Sequence, residues 1–183
     1  MSTTESDTSP RVRNALLLLE AIIFTVVVPG TGTIWLPRDV LGLWGDTPAL
    51  WAWWHAVALV LIAIGFAIYV RCVWDFAARG RGIPAPLEHP KQLVVTRLYR
   101  YVRNPMYVGV LLVMLGEALF FRSQPLLEYT IIWFAIVHIV VLVYEEPNLR
   151  RKFGSSYDDY AATVGRWIPG RSYHLIVETE VAE

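Results

Sequence analysis

Four apolar runs decide what this chain can fold into: Ala15 to Leu36, Ala49 to Val70, Met106 to Phe121 and Leu126 to Tyr144. The second carries no formal charge over 22 residues. A helix needs about 20 apolar residues to cross the roughly 30 Å hydrocarbon core of a bilayer. Runs one, two and four meet that length, and the 16-residue third run meets it with help from Asn104-Pro105 or local thinning. A chain of 183 residues cannot cover four such helices with protein, so a soluble helical core is set aside. Composition points the same way, with 55% hydrophobic and 17% charged residues against about 25% charged in a soluble domain.

The expected fold is therefore an all-α membrane protein forming one domain over residues 1–183. The spans fall at about 15–36, 49–70, 105–121 and 126–144, with a loop at 71–104 and a tail at 145–183. Run one follows Arg11 and Arg13 as a signal peptide would, but it is too long and no small-x-small cleavage site follows it. Pro29-Gly30 inside it predicts a kink or an end. Fourteen of the sixteen Lys and Arg residues lie before run one, between runs two and three, or after run four. The positive-inside rule then places both termini and the 71–104 loop in the cytoplasm. Trp and Tyr cluster near the run ends, as they do at headgroup level. One cysteine, Cys72, excludes an internal disulfide and a cysteine-based metal site.

Candidate functional residues gather near the cytoplasmic ends of the runs. Arg97, Arg100 and Arg103 recur every third residue with Tyr99 and Tyr101 between them, a stripe suited to anionic headgroups. Asn104-Pro105 reads as a helix cap followed by proline at the first helical position. Run four ends in Glu145-Glu146, where the helix dipole disfavours carboxylates. His138 lies two turns before Glu145, so the two share a face. It is either a functional partner or a hydrogen-bonding group between helices. Glu117 and Glu20 sit within spans, where ionisable groups face the bundle. Phe153, Tyr157, Tyr160, Val164 and Trp167 recur at helical spacing. That stripe predicts an amphipathic helix on the cytoplasmic face, with Ser155 and Asp158 as its N-cap pair. No soluble dinucleotide fingerprint, phosphate loop, zinc-protease motif or nucleophile elbow is present, and no polar lumen argues for a channel.

Tyr99-Arg-Tyr-Val-Arg-Asn-Pro-Met-Tyr107-Val-Gly109 resembles the Arg-His-Pro-x-Tyr-x-Gly signature of the integral-membrane methyltransferases. These include the isoprenylcysteine carboxyl methyltransferases and the phospholipid N-methyltransferases. Glu145-Glu146, Phe153-Gly154, Tyr157-x-x-Tyr160 and Arg166-Trp167-Ile-Pro169 resemble the rest of the signature in order and spacing. Val28-Pro29-Gly30-Thr31 is similar to bacterial members, and Arg outnumbers Lys fourteen to two, so the expected setting is a bacterial cell membrane.

The resemblance implies S-adenosylmethionine (AdoMet) as methyl donor, held at the cytoplasmic ends of the last two spans under the C-terminal segment. By motif its wall would be Lys91, Gln92, Leu93, Val94, Tyr99, Asn104, Pro105, Met106, Tyr107 and Glu145. The acceptor would be lipid-like or prenylated and would enter between helices. Glu146 and His138 are the candidate bases for an acceptor that must lose a proton. Asn104 stands where the family has histidine. Val141 stands where the prenylcysteine enzymes resemble one another in having arginine, which favours a less acidic acceptor. Arg103 is the remaining cation on the acceptor side. Membrane lipids and the small-molecule acceptor are the expected partners, with no nucleic acid and no metal; oligomeric state is not legible. An NADPH-dependent membrane reductase similar to sterol reductases, and a non-catalytic protein on the same scaffold, are the competing readings.

Overall fold

A computed structural model of the chain describes residues 30–45, 51–77 and 97–170. Every regular element among them is helical: α1 (Thr31–Val40), α2 (Trp53–Ala77), a 3-10 turn (Arg97–Arg100), α3 (Pro105–Phe120), α4 (Gln124–Val140), a π-type turn (Val141–Glu145), α5 (Glu146–Phe153) and α6 (Ser155–Thr163). Lys91, Gln92, Leu93, Val94, Glu20 and residues 15–29 of run one lie outside the described residues.

Two helices among the described residues are long and apolar enough to cross a membrane, Trp53–Asp75 and the continuous Gln124–Phe153. The 16-residue α3 is shorter, about 24 Å at 1.5 Å per residue. α2 starts at Trp53 and runs past the apolar segment to Ala77. Arg71 and Asp75 support this extension, lying one turn apart at 3.8 Å. Arg97 then approaches Asp75 from beyond the helix at 3.6 Å.

The helices turn large apolar residues outward. Val60, Ile64 and Phe66 on α2 and Ile131, Ile132, Ile136 and Ile139 on α4 are all exposed. Water would penalise such faces, whereas acyl chains cover them. Trp51 and Trp53 at one end of α2 and Trp74 at the other are exposed too, as befits rings at the two interfaces.

α2 and α3 pack antiparallel through small residues. A Cβ on Gly65 would stand 2.5 Å from the Gly109 carbonyl oxygen, and one on Gly109 would stand 2.8 Å from that of Gly65. Two turns away, a Cβ on Gly116 would meet the Ala58 carbonyl oxygen at 2.9 Å. Lipid supplies no hydrophobic drive between helices, so close backbone approach through small residues is what holds such a pair. The signature glycine, Gly109, is thus a packing residue.

Ser123 moors the other helices. Its hydroxyl donates to the Leu43 carbonyl and accepts the Leu126 N–H, capping α4. Trp44 stacks on Phe121 at 4.6 Å, and the Tyr129 hydroxyl donates to the Gly32 carbonyl at 2.8 Å. α1 therefore lies against α3 and α4.

Both π-type segments accompany a proline. Pro37 lies inside α1, and Pro147 follows the turn Val141–Glu145. Proline supplies no N–H, and in an unbroken α-helix its ring would strike the carbonyl four residues back. A wider turn relieves that clash.

Candidate functional site

The site is assembled where the start of α3 meets the segment after α6. The Arg103 N–H donates to the Gly165 carbonyl at 2.9 Å, and the Gly170 N–H donates to the Tyr101 carbonyl at 2.9 Å. Residues 164–170 therefore run beside 101–104, with an isolated bridge between Val102 and Gly165. A Cβ on Gly165 would collide with the Ile168 carbonyl oxygen, so this tight turn requires glycine. The expected amphipathic stripe is correct only in part. Tyr157, Tyr160 and Val164 pack together with Phe153. The helix ends at Thr163, however, and the turn sends Trp167 elsewhere. Gly154 takes φ 55 at the N-cap of α6. Ser155 is thus not a cap, and Asp158 pairs with Arg150 instead, at 2.6 Å.

Asn104 precedes α3 without capping it by its side chain. Its amide donates to the Arg166 carbonyl at 3.3 Å, so the expected cap becomes a tie between segments. Pro105 takes the first helical position as expected. Met106 packs toward the Tyr69, Val110 and Met114 cluster. The Tyr99 carbonyl accepts the Tyr160 hydroxyl at 2.6 Å. Burial pushes both phenols above their ordinary range and keeps them neutral; the Cys72 thiol and the Asp75 charge add to the effect at Tyr99.

The two adjacent carboxylates part company. Glu146 is gripped by the Arg166 guanidinium through Nε at 2.5 Å and Nη2 at 2.9 Å. Arg103 Nη1 lies 3.1 Å from its Oε1 and also donates to the Tyr157 hydroxyl at 3.3 Å. The hydrogen bond to Glu146 raises the Arg166 pKa against a small opposing effect of burial. Burial raises that of Tyr157, with the Glu146 charge adding to it. A carboxylate occupied at both oxygens by guanidiniums is a poor proton acceptor. Glu146 ties the C-terminal segment to the start of α5. Arg103 keeps one buried nitrogen, Nε, without a partner.

Glu145 turns the other way. Its Oε1 accepts the Tyr107 hydroxyl at 2.5 Å. Tyr107 stands 6.5 Å from both Trp133 and Trp167, ring to ring. Trp167 also meets Phe134 at 5.0 Å and His138 at 5.8 Å, and Phe134 meets His138 at 6.1 Å. The result is an aromatic box with a carboxylate at its edge, closed by the C-terminal segment. The π-type turn between His138 and Glu145 breaks the uniform helical register expected for them, yet both border this box. His138 Nδ1 accepts the Trp167 indole N–H at 2.9 Å, so that lone pair faces the C-terminal segment. Val141 opens the π-type turn and is 1% exposed.

Tyr99, Arg103, Asn104, Pro105, Tyr107, His138, Glu145 and Glu146 are thus brought to one end of the bundle. Trp133 and Phe134 were not legible as box residues. The only signal was that Phe134 precedes His138 by one helical turn.

The sequence model of the phospholipid methyltransferase family matches residues 53–156. The matched stretch runs from the start of α2 into α6 and contains every box residue except Trp167. No curated protein matches the chain.

Proposed function

Because the chain belongs to the phospholipid methyltransferase family, we propose that it transfers the methyl group of AdoMet to a lipid-like or prenylated acceptor at the cytoplasmic face of the membrane. The observation that carries the donor assignment is the aromatic box with Glu145 hydrogen-bonded at its edge. AdoMet bears a sulfonium and an ammonium. Aromatic faces attract the first, and a carboxylate in a dry cleft suits the second. The residues present therefore fit the group. Tyr107, Phe134 and Trp167 would face the sulfonium side and Glu145 the ammonium. Tyr99, Asn104, Pro105 and Met106, with Lys91, Gln92, Leu93 and Val94, complete the proposed wall.

When bound, AdoMet supplies an electrophilic methyl with a good leaving group, so the chain's contribution is chiefly positioning, for which up to about 7–11 kcal/mol is available. The Glu146–Arg166 pair and the backbone pairing of Arg103 with Gly165 hold the roof. Tyr107 orients the Glu145 carboxylate. The apolar rings exclude water. Val141 offers no charge to an acceptor carboxylate, and desolvating one unpaired would cost several kcal/mol. A neutral acceptor on an apolar body is therefore favoured, with Arg103 the cation proposed for any oxyanion.

Isothermal titration in detergent should show binding of AdoMet and none of NADPH. The reverse result would install the reductase reading, and silence for both would favour a non-catalytic protein. With labelled AdoMet, amine, phenol or thiol acceptors on apolar bodies should be methylated at least about tenfold faster than a prenylcysteine acid, the discrimination expected of one unpaired carboxylate. Equal or faster methylation of the acid would remove the role given to Val141.

Four spans with cytoplasmic termini form part of the proposal. Tags at Met1, Gly82 and Glu183, all outside the described residues, should be protected from an impermeant reagent in intact cells. A tag at Asp46 should react. Labelling of either terminus from outside would separate the box from cytoplasmic AdoMet and end the topology.

A further inference from the structure

We propose that His138 is a positioning residue whose Nδ1, by accepting the Trp167 indole N–H, holds that indole as a wall of the aromatic box. The inference rests on the donor assignment above.

Three observations carry it. The hydrogen bond joins α4 to a segment that has left the helical part of the chain, 29 residues further on, at 2.9 Å. Trp167 is the one ring of the box supplied by that segment, and it touches Tyr107, Phe134 and His138. Its neighbours on both sides are fixed by other means: Arg166 by Glu146 and Asn104, and Gly165 and Gly170 by backbone pairing with Arg103 and Tyr101. The indole itself has no other hydrogen bond among the described residues. The indole is part-buried, and its N–H left without an acceptor would lose a hydrogen bond that water replaces by reaching the ring, so removing the His138 lone pair should turn the ring out of the box rather than leave it in place. The bond also assigns the tautomer: Nδ1 accepts, so Nε2 carries the hydrogen.

Asparagine places its side-chain oxygen close to the position of histidine Nδ1, whereas phenylalanine keeps the ring shape and loses the acceptor. His138→Asn should keep AdoMet affinity within about threefold of wild type, and His138→Phe should weaken it about tenfold, the size of one lost hydrogen bond. In a Trp167→Phe background, which has no indole N–H, His138→Phe should weaken binding no further, because a double-mutant cycle isolates a shared contact. Without any ligand, exchange of the Trp167 indole N–H should quicken in His138→Phe and stay at the wild-type rate in His138→Asn.

Loss of kcat at saturating AdoMet in both variants would make His138 a catalytic base and overturn the proposal. So would unchanged exchange of that indole N–H in His138→Phe, or a full additional loss in the Trp167→Phe background. The exchange measurement needs no donor, so its failure sinks the latch whatever AdoMet does. A wild-type protein that does not bind AdoMet sinks the donor assignment instead, and the two failures stay distinguishable.

Discussion

Gly109→Val is expected to remove the folded protein from detergent extracts. A Cβ at this position would stand 2.8 Å from the Gly65 carbonyl oxygen and 3.1 Å from the Tyr69 backbone nitrogen. Both obstacles are backbone, so no rotamer change relieves the contact, and valine adds two methyl groups beyond it. Overpacking a core by a few carbons costs about 1–3 kcal/mol when side chains can shift; here α2 and α3 must separate, and the cost should exceed about 3 kcal/mol. Separation also undoes the neighbouring approach of Gly116 to Ala58, because the two contacts lie on one rigid crossing. Gly30→Ala is the internal control. Gly30 has φ −60 and nothing within 4 Å of an added Cβ, so alanine there should be tolerated. Monodispersity on size exclusion and the midpoint of thermal unfolding would read both variants. A well-folded Gly109→Val protein would show that the two helices do not cross at this point.

The same glycine shows what could be read before the fold was known. Gly109 stood in a recognisable signature, and Gly109 and Gly116 are two turns apart on one face. That spacing is visible in the sequence, but the partner face, Gly65 and Ala58 on α2, is a tertiary fact. Apolar length identified the helices because lipid contact selects on length and polarity alone. Their ends were less legible, since α2 continues past Val70 on the strength of Arg71, Asp75 and Arg97, charges whose pairing only the fold creates.

Glu145-Glu146 was legible as an anomaly. Its resolution was not, because adjacent helical residues diverge by about 100° and each meets a different element. Glu145 reaches Tyr107 on α3, and Glu146 reaches Arg166 and Arg103. Trp167 was misplaced for a related reason. Its spacing continued the stripe of α6, but the tight turn at Gly165 ends helical periodicity two residues earlier and delivers the ring to His138. Periodicity reports only as far as the helix runs. The Asn104 amide followed the same logic, since local propensity favours a cap and only the fold brings the Arg166 carbonyl to the side-chain N–H.

Glu145→Gln should weaken AdoMet binding by about 10- to 150-fold while leaving the fold intact. Tyr107 donates to Oε1 at 2.5 Å, and the amide oxygen of glutamine can accept that same hydrogen bond, so the π-type turn and the box keep their shape. What disappears is the negative charge proposed to meet the ammonium. A hydrogen bond to a charged group contributes about 1.5–3 kcal/mol, which converts to the stated range at about 1.4 kcal/mol per tenfold. The unliganded protein should unfold at the same temperature as wild type, because Glu146 carries the ion pairs with Arg103 and Arg166 that hold the C-terminal segment. Titration calorimetry of AdoMet against both proteins, beside thermal unfolding without ligand, separates the two quantities. A variant that binds AdoMet as tightly as wild type would take the ammonium away from Glu145. A variant that loses affinity together with thermal stability would make Glu145 a structural group, and the donor site would then have to be sought away from Tyr107.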